Sequence, residues 1–366
     1  MVLVTKPTNT QFNLQPWIGQ RSATFKFVLI NGATKAPIAE LHPSRNQSPT
    51  ITHDTSRTIK RTLSPLVLDE DQTTLVDPVN NRVEVSMIMH GVEWPLGRYV
   101  FIDQTKIRTT RGHWSTSSLV DEMFVVDQKI ESAFSCRIIQ RDGATASGEV
   151  VEGALARLLE GLPISFTIEP TQFGSVGSWP QGTNRGRIVD DLALDGDYFS
   201  PWFGNDGEMH VIRSFDPADV VPSFDWDAND VVIRDSIAET NDLVDAPNRI
   251  LVVSNTPNVL GIPDQVITGV YDVPSSAPHS RLNRGFLITD VQELQVAGSQ
   301  QAAAIARNIG QRGTVFERVE LSTAPDPRHD AYDVIRWQEA NWLELSWSLP
   351  LVEGADMRHT MRKVYR

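Results

Sequence analysis

This sequence predicts a mainly β fold in which a small mixed α/β insert separates two β-rich regions. Three observations predict it. Short runs with period-two alternation dominate the first 140 residues and return after residue 245. Helical spacing is confined to two stretches. Asn-Gly, Gly and Pro turn signals recur between the runs, as they do in sandwiches and barrels.

Residues 1–140 form the first β domain in this reading. "ATFKFVLING" sets Phe25, Phe27 and Leu29 against Thr24, Lys26 and Val28, then reaches Asn31-Gly32. Asn-Gly after an alternating run predicts a hairpin, because both central residues of a type I′ turn need positive φ. "PIAELHP" reads as the return strand, ended by Pro43. A second hairpin signal is "DPVNNRVEVSMIMHG", with Val83, Val85, Met87 and Met89 on one face. "GRYVFIDQTKIRTT" alternates again, and "LVDEMFVVDQKI" reads as the closing strand.

Residues 141–245 form the mixed domain. "VVEGALARLLEGLP" places Val151, Ala154, Leu155, Leu158 and Leu159 at helical spacing, with Gly161 and Pro163 as the stop. "ISFTIEP", "EMHVIRSF" and "DVVIRD" read as short strands, and "SVGSWPQGTNRG" as a loop. Residues 246–350 form the second β domain, opening on the apolar run of "APNRILVVSNTP". Its one packed helix is "QQAAAIARNIGQRG", with Ala302, Ile305, Ala306 and Ile309 on one face, Ser299 as N-cap and Gly313 as stop. Residues 351–366, with Arg358, Arg362, Lys363 and Arg366, read as a basic tail that is either disordered or docked on an acidic neighbour.

Charge narrows the function classes. The formal net charge is −13, and the window Asp190–Asp245 carries all of it, with fifteen acids against Arg213 and Arg234. No basic excess exists to displace phosphate counterions, so a general nucleic-acid binder is excluded. No run of eighteen apolar residues occurs, so no membrane-spanning segment is expected, and the N-terminus lacks the apolar core of a secretory signal. Cys136 is the only cysteine; it forms no intrachain disulfide and predicts folding in a reducing cytoplasm.

The densest acidic stretch, "VPSFDWDANDVVIRD", invites comparison with a calcium loop. Asp225, Asp227 and Asn229 fit its first three ligand positions, but Asp230 stands where glycine is needed and Ser236 where glutamate is. No nucleophile elbow, zinc-protease motif or phosphate-cradling glycine loop is present. Cys136 in "AFSCRIIQ" reads as a buried strand position, and His53-Asp54 and His329-Asp330 as solvated turn residues. The residues predict no catalytic site, metal or cofactor, and the aspartates read as a charged surface.

Several phrases resemble those of the baseplate hub, or tail hub, proteins of tailed bacteriophages. They are "RVEVSMIMHGVEWPLGRYVF" with its W-P-L-G turn, "LVDEMFVVDQ", "PNRILVVSN" and "RVELSTAPDPRHDAYDVI". "GALARLLEGLPI" and the later segment holding Trp202, Phe203, Gly207 and Met209 resemble the middle domain of that family. The resemblance implies two tube-like β-barrel domains flanking the insert and a homotrimer whose pseudo-sixfold ring caps a hexameric tail tube or distal tail ring. It also implies tip, fibre or spike proteins as separate partners, a location at the virion tail tip after assembly in the host cytoplasm, and DNA only in passing. On that reading Asp225, Asp227 and Asp230 line the channel, since like charges let DNA pass without gripping it. The equivalent hub of a phage-derived injection system shares these features. The alternative is a tail-tip carbohydrate-binding or hydrolysing β protein, with Trp114, Trp179, Trp202 and Trp226 as stacking candidates.

Overall fold

The computed structural model describes residues 23–44, 47–110, 112–141, 144–228, 233–242, 244–256, 265–294, 296, 298–313 and 315–366. The first region holds β1 (Ala23–Asn31), β2 (Pro37–Leu41), β3 (Thr50–Asp54), β4 (Arg61–Asp69), α1 (Glu70–Thr73), β5 (Asn81–Met89), β6 (Val92–Phe101), β7 (Thr105–Thr109), β8 (Gly112–Asp121) and α2 (Met123–Val126). In the middle lie β9 (Phe134–Ser135), β10 (Ile138–Arg141), β11 (Ala144–Val150), α3 (Val151–Leu159), β12 (Phe166–Ile168), β13 (Gly174–Ser175), β14 (Ser178–Trp179) and α4 (Arg185–Asp195). They are followed by β15 (Trp202–Phe203), β16 (Met209–Val211), β17 (Phe224–Asp225) and β18 (Arg234–Asn241). The last part contains β19 (Arg249–Thr256), β20 (Gln265–Asp272), α5 (Arg281–Arg284), β21 (Thr289–Glu293), α6 (Ser299–Gly313), β22 (Glu317–Thr323), β23 (Val334–Trp337), β24 (Ala340–Pro350) and β25 (Met357–Lys363).

The fold is mainly β, and strands of both β-rich regions, with β18 from the end of the insert, join one sheet ordered β18-β22-β25-β24-β3-β4-β8-β6-β5-β1-β2, while β19, β20 and β21 form a separate sheet. The expected barrels are not seen as closed: this path has two ends among the described residues. Strand β24 makes the join. One edge pairs with β25 on both sides of an irregularity between Glu344 and Ser346, while the other pairs first with β23 and then with β3, Trp347 opposite His53 and Leu349 opposite Ile51. Trp347, Leu349, Leu351 and Met357 therefore sit in the same core as Leu29, Val83, Met87 and Tyr99.

Alternation explains that core. Val83, Val85, Met87 and Met89 are all buried on β5, and Leu29 and Phe27 face them from β1. His90 and Gly91 close the β5–β6 hairpin with both residues at positive φ, the two-residue turn the strand twist favours. The β1–β2 hairpin forms as expected, but through a longer turn. Asn31 stays in the strand, its Oδ1 accepts the N–H groups of Ala33 and Thr34, and Lys35 takes the positive φ instead. "LVDEMFVVDQKI" ends β8 and then coils into α2 rather than forming a strand of its own.

Helix α3 buries Val151, Ala154, Leu155, Leu158 and Leu159 against Ile188, Val189 and Leu192 of α4. The sequence reading missed α4, because the Gly- and Asn-rich approach and four flanking charges masked the spacing of Ile188, Val189 and Leu192. Helix α6 covers one face of the β20-β19-β21 sheet. The approach is so close that a Cβ on Gly269 would lie 2.1 Å from the Ala302 carbonyl carbon, and one on Gly310 2.2 Å from the Tyr271 ring. Residues 351–366 are not a free tail. Met357, His359 and Met361 alternate inward on β25, which lies between β22 and β24.

Candidate functional site

The acidic stretch contains the two-residue strand β17 and a turn after it. In Phe224-Asp225-Trp226-Asp227 the aromatics are buried and Asp227 is exposed, with Asp225 half-buried. Phe224 stacks on His329 at 4.1 Å between ring centroids, and Trp226 meets His359 edge-on at 5.3 Å. Both acids also shape the chain locally. The Asp225 carboxylate accepts the Ala228 N–H at 2.9 Å. Asp227 accepts the N–H groups of Gln338 and Glu339 at 2.8 and 2.9 Å. Those two residues form the β23–β24 turn with φ of 50° and 58°, a conformation that costs about 1–2 kcal/mol per non-glycine residue. Asp227 thus clamps a strained turn. Asp230, the third expected channel acid, lies outside the described residues.

Behind this face lies a buried polar seam that ties the three parts of the chain together. Arg61 on β4 donates to Asp330 at 2.7 Å and Asn205 at 2.6 Å, and its guanidinium lies over Trp347. Asn205 in turn donates to the carbonyls of Pro327 and His329, and Trp202 donates to Asp330 at 3.0 Å. Next to it, Glu344 accepts from or shares protons with two imidazoles, His329 Nδ1 at 2.9 Å and His359 Nδ1 at 2.6 Å. His359 Nε2 pairs with the Thr323 hydroxyl at 2.9 Å.

Burial alone would raise the Glu344 carboxyl, but the two histidines win and hold it at about 2. Burial disfavours charge on both rings as well. Glu344 overcomes it at His329, whose pKa is raised, and fails to at His359, whose pKa is lowered. Burial, with Arg61 beside it, drives His53 down to about 3. His329, Glu344 and His359 bring three ligand-type atoms within 4.8 Å of one another. Yet contacts of 2.6 and 2.9 Å are hydrogen-bond lengths, shorter than the ~3.3 Å that separates two ligands of a tetrahedral zinc. The cluster is a structural hydrogen-bond network with a charged centre.

His53 and His329, read from sequence as solvated turn residues, are both buried in this seam. The reason is that β24 pairs with β3 and carries its neighbours over them, which adjacent sequence does not reveal. Cys136 is buried, as expected, though it lies between β9 and β10 rather than in a strand. Of the tryptophans proposed for sugar stacking, Trp202 and Trp226 are buried, and Trp179 packs on Phe134 while donating to Asp191 at 2.8 Å. No helix among the described residues is long and apolar enough to cross a membrane.

This architecture is that of solved tail proteins of phages and prophages. The chain is similar to the tail protein from Neisseria meningitidis MC58, with a TM-score of 0.57 and 13% identity over 93% of this chain and 96% of that one. It is similar also to the 43 kDa tail protein of prophage MuSo2 from Shewanella oneidensis, at a TM-score of 0.55 and 12% identity over 93% and 98% of the two chains. Prophage tail protein gp18 from Listeria monocytogenes EGD-e superposes at a TM-score of 0.56 with 9% identity, covering 92% of this chain and 94% of that chain. At such identities the likeness is one of fold. No protein-family profile matches the sequence, and no curated protein matches it.

Proposed function

We propose that this chain is a structural tail protein of a phage or phage-derived particle, without catalytic activity. More specifically, it is a homotrimeric hub at the tail tip that adapts a sixfold tail tube or distal tail ring to threefold tip, fibre or spike proteins. The observation that carries the proposal is the end-to-end likeness to three solved tail proteins, which spans the insert as well as both β-rich regions. The use of the buried polar groups agrees with it: the seam binds the parts of the chain to one another and offers no accessible reaction centre.

On this reading the exposed edge of Asp225 and Asp227 faces the bore through which DNA passes. Electron micrographs of the purified chain mixed with its tail-tube protein should show threefold rings seated on tube ends. Isolated subunits that never cap a tube would overturn the hub assignment. Replacing both aspartates by asparagine removes their charge and keeps one acceptor oxygen on each, which leaves Asp225 its Ala228 contact and Asp227 one of its two turn contacts. Particles carrying that pair should assemble normally and eject DNA more slowly; unchanged ejection rates would remove the acids from the bore.

A further inference from the structure

Arg362 is the last outward-pointing position of β25, where the alternation that buries Met357, His359 and Met361 would put a side chain in water. It is nevertheless buried, because α6 and the end of β20 lie over it. Its Nε has no hydrogen-bond partner among the described residues, and Asp216 and Tyr271 favour its charge only through space. His279 lies beside the same cavity, also buried, and its two ring nitrogens have no hydrogen-bond partner among the described residues. The His279 ring stacks on Phe316 at 4.6 Å, so it is held in place. Both side chains line one small cavity of about 30 Å³ together with Asp216, Tyr271, Gln311 and Tyr365. That is room for one or two water-sized groups.

A buried cation with no counter-charge in contact is expensive, by several kcal/mol after relaxation, and arginine does not escape by losing its proton. Water in the cavity would supply hydrogen bonds but no charge. Asp216 lies in the lining but forms no salt bridge with Arg362, and its own carboxylate accepts the Ala218 N–H at 2.9 Å. The Tyr365 hydroxyl is committed to Glu317. Arg284 adds positive field at His279, which burial and the two arginines keep neutral, at about 4. A neutral imidazole retains one N–H to donate. The cavity is therefore lined by a guanidinium group and an imidazole donor, with room for one or two oxygens.

We infer that this pocket binds one carboxylate supplied from outside the chain, with Arg362 and His279 as its donors. Two sources share that chemistry. One is a small free acid; the other is an aspartate or glutamate of a neighbouring subunit, a source that rests on the assembly reading above. Either would fasten the α6 layer to the main sheet at β25.

Labelled formate titrated into the full chain tests the inference. Its carbon signal should broaden on binding and sharpen again with excess acetate, and the thermal midpoint should rise by about 1–3 °C at saturating formate. Arg362→Met should abolish both effects, and His279→Gln should weaken formate binding about tenfold. Equal broadening in the parent and R362M, or none in a folded parent, overturns the site. The same titration on the assembled species separates the sources: a retained response means a small free acid, and a lost response means a neighbour's carboxylate fills the pocket. Should the chain never assemble, the titration on single subunits still decides the pocket independently.

Discussion

Arg61 and Arg362 are both buried arginines on long strands, and their surroundings differ in one respect. Arg61 has a carboxylate, an amide oxygen, a ring nitrogen and an aromatic face around it, drawn from all three parts of the chain. The Arg362 Nε has no hydrogen-bond partner among the described residues, and Asp216 acts on it only through space. A buried charge persists in a fold only when something compensates it. The first is compensated within the chain and holds the chain together; the second points to compensation from another molecule.

That contrast can be broken. Arg61→Met should be the most damaging change, losing on the order of 3–5 kcal/mol, because it strands Asp330 and Asn205 in the interior. Chemical denaturation measures it, and a loss below about 1 kcal/mol would show the seam to be incidental. Arg362→Met should leave the isolated chain at least as stable as its parent, since it removes an unpaired charge. A large loss there would mean that Arg362 is compensated inside the chain after all.

Smaller effects sharpen the account of the acidic face. Asp227→Ala should cost about 1–2 kcal/mol by freeing two N–H groups in a strained turn, and Glu339→Gly should return part of it by removing the positive-φ strain. Equal stability of Asp227→Ala and its parent would leave that carboxylate with its charge alone. The smallest effect is on pH. His53 is held down to about 3, so between that value and the usual 6.5 the unfolded chain binds more protons than the folded one. Its contribution is present above pH 6.5 and lost as pH falls toward 3. His53→Gln should therefore flatten the fall of the thermal midpoint over that interval.

What the sequence disclosed depended on distance along the chain. The face Val83, Val85, Met87, Met89 and the helices α3 and α6 follow from local periodicity, and each lies where the spacing puts it. The aspartates read from sequence as a charged surface, and the burial of Phe224 and Trp226 between them was not expected. Residues 351–366 carried the same period-two signal in Met357, His359 and Met361, but their basic residues argued for a tail. The seam was illegible for a different reason. Arg61 and Asp330 are 269 positions apart, and only the β24–β3 pairing brings them together. Arg362 looked like an ordinary exposed cation, because nothing near it in sequence says that α6 covers it.

The trimer is the central claim of the proposed function, and the mass of the purified chain in solution tests it most directly. Light scattering across a concentration series should find a species of three subunits that persists on dilution. A single-subunit mass at every concentration, with or without the tail-tube protein present, would contradict it.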